Sequence, residues 1–192
     1  SSNINNGCPG LMVDFKADSI DGAPAILYQW DVDGDGELDY IETVDSTQHT
    51  YTNSGIFDVN VVAIAANGCK NSITNQSEIT IFELPLADFL TNPNSGETSI
   101  LNPKIEFYDQ TTYNQDIRTI AWDFGDNSTD SSSIDPTHTY QNIGTYSVNL
   151  AVTNNNGCFD AITKNVTVKA EYVLIMPNSF TPNGDDLNDT FK

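Results

Sequence analysis

Trp122-Asp123-Phe124-Gly125-Asp126-Asn127-Ser128, followed by His138-Thr139-Tyr140 and Gly144-Thr145-Tyr146, decides the fold, because the pattern has an earlier copy. That copy reads Trp30-Asp31-Val32-Asp33-Gly34-Asp35-Gly36, then His49-Thr50-Tyr51 and Gly55-Ile56-Phe57. Phe15 precedes Trp30 by 15 residues, and Phe107 precedes Trp122 by the same 15. Asn67-Gly68-Cys69 likewise matches Asn156-Gly157-Cys158. The offset is 92 residues at the front and 89 at the back. The three-residue difference falls in the loop after the Trp, where length changes are tolerated. Two copies of one domain follow.

Within each copy the residues alternate as strands do. Tyr146, Val148, Leu150 and Val152 are interleaved with Ser147, Asn149, Ala151 and Thr153, a half-buried strand. Phe57, Val59, Val61 and Ala63 hold the matching places, while Val62 and Ile64 predict cover on both faces. Asn67-Gly68 and Asn156-Gly157 signal hairpin turns, and the chain then returns along residues 73–81 and 162–168. No window keeps apolar residues at helical spacing, and no apolar run is long enough to cross a bilayer as a helix. The expected class is all-β: two tandem immunoglobulin-like sandwiches over residues 1–84 and 85–170, each with its Trp between two sheets. The boundary near Leu84-Pro85 leaves a short linker and predicts a stiff pair of domains.

The chain has 27 acidic and 7 basic residues, a net charge of −20. Such a surface repels phosphate backbones and anionic lipids, which argues against nucleic acid or direct membrane insertion, and it attracts divalent cations. Low Lys with abundant Asn, Thr and Ser fits an extracellular setting. Ser1 is not followed by a charged-then-apolar signal segment, so the expectation is a processed or excised piece.

The repeated W-D-(F/V)…H-x-Y…G-x-(Y/F)-x-V pattern resembles the polycystic-kidney-disease (PKD) domain, closely in the second copy and more loosely in the first. The resemblance implies a β-sandwich spacer and interaction module of extracellular proteins, without catalysis. The last residues, Met176-Pro177-Asn178-Ser179-Phe180-Thr181-Pro182-Asn183-Gly184-Asp185-Asp186-Leu187-Asn188-Asp189-Thr190-Phe191, resemble the opening of the gliding-motility-associated C-terminal domain. Asp186 stands where that family usually has Gly. Residues 171–192 are thus expected to be the incomplete start of a type B sorting domain for type IX secretion. That resemblance implies the cell surface of a gram-negative bacterium.

One stretch carries metal chemistry. Asp31-Val32-Asp33-Gly34-Asp35-Gly36-Glu37-Leu38-Asp39-Tyr40-Ile41-Glu42 matches a twelve-residue calcium loop. Carboxylates stand at positions 1, 3, 5, 9 and 12, Gly at 6 and an aliphatic at 8. The expected Ca²⁺ ligands are drawn from Asp31, Asp33, Asp35, Glu37, Asp39 and Glu42. The flanks read as strands, so the loop would sit in a hairpin, and a strand would tend to carry Glu42 away from the ion. The alternative is a solvated acidic turn. The second copy keeps Asp123, Asp126, Asn127 and Asp130 without the alternate spacing, and Asp123 is expected to cap turn amides. His49 and His138 recur at equivalent positions, which predicts a structural role. There is no G-x-S-x-G elbow, no H-E-x-x-H and no phosphate-cradling Gly loop, so an enzyme is not expected.

Three cysteines leave one over. Cys69 and Cys158 are repeat-equivalent, while Cys8 has no counterpart in the second copy, where Ile100 stands. The expected pairing is a Cys8–Cys69 disulfide, with two free thiols as the alternative. Cys158 is expected to be a free thiol or to pair with another chain. The combined expectation is a non-catalytic, calcium-stiffened stalk or adhesion segment of a large surface protein, related to gliding or adhesion. Its expected partners are calcium and surface polysaccharide or other surface and secretion proteins. The alternative is an accessory spacer or carbohydrate-interaction module of a secreted multidomain hydrolase.

Overall fold

The computed structural model describes residues 1–17, 25–112 and 117–171, and the proposed sorting segment lies outside them. The first domain is formed by β1 (Asn6–Gly7), β2 (Leu11–Lys16), β3 (Ala25–Asp31), β4 (Tyr40–Glu42), β5 (Ser46–Tyr51), β6 (Gly55–Ala65) and β7 (Lys70–Ile81). Its larger sheet runs β1-β7-β6-β3-β4, and β2 pairs with β5 in the facing sheet. The second domain is formed by β8 (Phe89–Asn92), β9 (Glu97–Ser99), β10 (Lys104–Asp109), β11 (Ile117–Asp123), β12 (Thr129–Asp130), β13 (Thr137–Thr139), β14 (Gly144–Asn154) and β15 (Phe159–Lys169). Its sheets run β12-β11-β14-β15-β9 and β13-β10-β8. The class is all-β, and both domains are sandwiches with the expected internal repeat.

The alternation settles which face turns inward. Val148, Leu150 and Val152 on β14 are fully buried, and their neighbours face the other side. On β6, Val59 and Val61 are buried while Val62 and Ile64 are half-buried, so both faces of that strand are partly covered. Trp30 (2 % exposed) and Trp122 (1 %) fill the spaces between the sheets. Trp122 meets Phe89 edge-on at a centroid distance of 5.2 Å and Phe107 in a tilted arrangement at 5.6 Å, geometries that suit ring quadrupoles. In each domain a buried Tyr reaches across to the chain just past the Trp. Tyr51 Oη donates to the Val32 carbonyl, and Tyr140 Oη to that of Phe124. Burial holds both hydroxyls far above the ordinary tyrosine range.

Both Asn-Gly turns form. Gly68 N–H donates to Ala65 O and Gly157 N–H to Asn154 O, closing the β6–β7 and β14–β15 hairpins. At the other end, β1 pairs in parallel with the end of β7, Asn6 opposite Thr80 and Gly7 opposite Ile81. That register overturns the expected cysteine pairing. Cys8 sits beside Ile81, whereas Cys69 sits at the opposite end of β7, roughly 35 Å away for a strand of this length. A disulfide needs Cα atoms within about 7 Å, so Cys8–Cys69 is out of reach. Cys8 instead bonds Cys158, with Cα atoms 5.5 Å apart and 150 residues between them, and Cys69 is the free, exposed thiol. The disulfide therefore joins the two domains.

Candidate functional site

Two features outside the cores have chemistry of their own: the acidic turn of domain 1 and the junction between the domains.

The turn begins at Asp31, the last residue of β3, and it is wound around carboxylates that accept from its own amides. Asp31 is buried, with one oxygen accepting from Gly34 N–H (2.8 Å) and the other from Gly36 N–H (3.1 Å). Asp33 accepts from Asp35 N–H, Asp35 from Glu37 N–H, and Asp39 from Val32 N–H at 2.8 Å. Such side-chain-to-amide bonds are what Asp offers a turn. Gly34 lies at φ +75° with its Cα against Asp58, where an added Cβ would come within 3.0 Å of Asp58 Cβ. In domain 2, Gly125 makes the same approach to Ser147. Ser147 is the repeat equivalent of Asp58, so Asp33 belongs to the insertion that lengthens the domain 1 turn.

Oxygens of Asp31, Asp33 and Asp39 lie within 4.8 Å of one another. Three of the six expected ligands are thus gathered. Asp35 and Glu37 are exposed outside this group, and Glu42 is carried off by β4, opposite Tyr28. The crowding has an electrostatic signature. Burial, together with the charges of Asp39, Asp35 and Asp31, pushes the Asp33 carboxyl above its usual range, against a lowering bond from the Asp35 amide. The charge crowding that raises Asp33 is relieved by a proton or by a cation.

In the matching turn of domain 2 the carboxylates of Asp123 and Asp126 are hydrogen-bonded internally. Asp123 caps the Gly125 amide, as expected. Asp126 accepts from Ser128 and lies 2.7 Å from His138 Nε2. Burial alone would raise the Asp126 carboxyl, but the bonds from Ser128 and His138 outweigh it and hold it below the ordinary range. His138 stacks on Phe124 with centroids 4.3 Å apart, and His49 hydrogen-bonds Tyr40 Oη through Nδ1 at 2.9 Å. Both histidines are packing pieces, His49 with Tyr40 as polar partner and His138 with Asp126 and Ser128.

The junction was missed as a site by sequence reasoning. Cys158, fully buried, stands at the β14–β15 turn beside Asn154, which is only 2 % exposed. Asn154 Oδ1 accepts from the amides of Asn156 and Cys158, while its Nδ2 donates to the linker carbonyl of Glu83. Asp160 accepts from Ala87 N–H at 2.7 Å. Lys164 Nζ binds both Asp88 Oδ1 and Phe89 O at 2.5 Å. Linker, hairpin tip and the Cys8 turn of domain 1 are therefore tied together covalently and by hydrogen bonds. The leftover buried polar Asn154 in the second copy, where the first has Ala65, was the available signal.

The sequence profile of the PKD domain matches residues 3–81 and 85–170. Among curated proteins, collagenase ColA of Bacillus cereus is 34 % identical over 84 residues, 43 % of this chain and 9 % of its own length. Collagenase ColA of Clostridium perfringens is 32 % identical over 93 residues, 47 % of this chain and 8 % of its own. The chain thus spans less than a tenth of either collagenase. Among solved structures, the PKD1 domain of Vibrio anguillarum Epp shares 22 % identity, with a TM-score of 0.41 over 47 % of this chain and 99 % of that one. The PKD1 domain of the Vibrio cholerae metalloprotease PrtV shares 25 %, with a TM-score of 0.38 over 45 % and 98 %.

Proposed function

We propose that this chain, which belongs to the PKD-domain family through two consecutive domains, is a stiff spacer that holds its neighbours in a larger secreted protein at a fixed separation and angle. A PKD domain is a non-catalytic accessory module, and the repeat-equivalent, structural roles of His49 and His138 are in keeping with that. The observation that carries the spacer reading is the Cys8–Cys158 disulfide across the junction. A bond of this kind persists in oxidising compartments, which favours an extracellular setting. Among the described residues no helix is long and apolar enough to cross a membrane. The test is the distance distribution between probes at Ile56 and Ile143, both exposed. A narrow distribution is expected in the oxidised protein and a broad one after Cys8→Ala with Cys158→Ala. A broad distribution with the bond intact refutes the reading.

Calcium is the proposed stiffener of the domain 1 turn, held by Asp31, Asp33 and Asp39. Supporting this are the gathered carboxylates and the hard oxygen chemistry that Ca²⁺ requires. Bound there, the ion would supply positive charge that no Lys or Arg supplies in this turn. The resemblance of residues 176–191 to a type B sorting domain supports a surface stalk of a gliding gram-negative bacterium, with surface polysaccharide or secretion proteins as partners. A second reading, an accessory module of a secreted hydrolase, is favoured by the two collagenase relatives. The reading frame upstream separates them: further PKD domains support the stalk, and a catalytic domain supports the module.

A further inference from the structure

The junction has two halves, and domain 1 carries an unused copy of the receiving half. In domain 2 the entering strand runs through Ala87, Asp88 and Phe89. Phe89 is fully buried against Phe107 and Trp122, and Asp160 and Lys164 hold the strand's backbone. The cysteine at the hairpin tip, Cys158, then bonds the module before it.

The register transfers this onto domain 1 residue by residue. Val59 pairs with Asn75 as Val148 pairs with Lys164, and Ala63 pairs with Asn71 as Val152 pairs with Asp160. Asn75 and Asn71 therefore occupy the places of the two strand-holding side chains, and an amide can donate to a carbonyl or accept from an N–H. Ser2 faces Phe15 as Thr91 faces Phe107, so Ser1 stands where Leu90 does. The position directly before Ser1 is then the counterpart of Phe89. At that place the structure has a cleft of about 860 Å³ lined by Phe15, Trp30, Val61, Asn71 and Asn75. The buried Trp30 Nε1 has no partner among the described residues, whereas Trp122 Nε1 donates to Ile134 O. Cys69, at the same hairpin-tip position as Cys158, is free and exposed.

We propose that domain 1 receives a preceding PKD-like module of the same polypeptide through a second junction of this design. An extended strand running into Ser1 fills the cleft with an apolar side chain directly before Ser1, and Asn71 and Asn75 hold its backbone. Cys69 bonds a cysteine at the Cys8 position of that module. By thiol–disulfide exchange the two thiols lose two protons and two electrons to a disulfide oxidant, which is reduced to its two thiols. This partner lies beyond the spacer reading, and its test reads Cys69, which that reading leaves untouched.

The test places a copy of residues 1–89, with its own Cys69 changed to Ala, directly ahead of Ser1 in the full chain, oxidised with glutathione disulfide. The copy's Ala87-Asp88-Phe89 then precede Ser1 as the originals precede Leu90. Peptide mapping should find the added copy's Cys8 bonded to Cys69, and thiol labelling of Cys69 should fall from complete to near zero. In the Cys8→Ala, Cys158→Ala double variant, where the domains melt separately, a shorter extension, Ala-Asp-Phe alone, should raise the domain 1 melting midpoint by about 5–15 °C, and Ala-Asp-Asp should not. Full labelling of Cys69 in the extended protein overturns the proposal, as do equal midpoints for the two short extensions.

Discussion

Removing the Cys8–Cys158 bond should turn one unfolding transition into two. With domain 2 folded, unfolding of domain 1 releases a loop from Cys8 to the linker at Glu83, 75 residues on. In the chain-entropy treatment a closed loop of that size opposes unfolding by about 4.5 kcal/mol. Unfolding domain 2 first releases a loop of similar length, from the linker to Cys158, at a similar cost. Once either domain has unfolded, unfolding the other merely doubles the loop, which adds only about 0.6 kcal/mol. The first domain to unfold thus feels nearly the whole effect of the cross-link and the second feels almost none. A link of that form couples the domains, so both should melt together when it is intact. Scanning calorimetry of the oxidised protein should show one transition. Cys8→Ala with Cys158→Ala should show two, the earlier of them at least 10 °C below the original, since about 1 kcal/mol moves the midpoint of a domain this size by 4–8 °C. Two resolved transitions in the oxidised protein, with midpoints unmoved by the double substitution, would refute this coupling.

Calcium should raise the domain 1 midpoint in the uncoupled double variant and leave domain 2 unmoved; loss of the shift in Asp33→Ala is the accompanying check, and an unchanged midpoint in excess calcium counts against the site. In the same double variant the two domains should also differ in their response to acid. Asp33, raised by burial and neighbouring charge, penalises domain 1 at neutral pH, and the penalty fades as pH falls through its folded value and is gone below the unfolded value near 3.8. In domain 2, hydrogen bonding lowers Asp88 through Lys164, Asp126 through Ser128 and His138, and Asp130, through Ser132 and Ser133, to about 2. Those contributions are present above the unfolded value and drain away as pH falls towards 2, so melting scans from pH 7 to 3 should show domain 2 weakening more than domain 1. Gly125→Ala should cost domain 2 about 2 kcal/mol or more, because φ is +78° and the new Cβ would lie 2.6 Å from Ser147 O; denaturant unfolding measures it.

The parts of the fold carried by local periodicity were legible in advance. β14 announced itself by alternation, the hairpins by Asn-Gly, and the repeat by its Trp, Tyr and Gly positions. The acidic turn after Trp30 was legible too, but which of its carboxylates meet was not, because β4 begins at Tyr40 and removes Glu42. The cysteine pairing failed for a related reason. β1 is two residues long, too short to show any period, and its parallel register beside the end of β7 decides where Cys8 lies. Equivalent cysteines invited a bond within one copy, whereas the fold separates the tip from the base of each sandwich.

The disulfide also determines where tension would travel if the chain were pulled at its ends. From the N-terminal side the covalent route passes along β1, through Cys8 and Cys158, and out along β15 from Phe159 to Lys169. Both strands are already extended, so little slack remains in that path. The residues between the cysteines, on the order of 500 Å of contour if drawn out, hang beside the path and bear none of the load. A pull that would unravel ordinary sandwiches in series would here stretch a short cable, with both cores suspended from it.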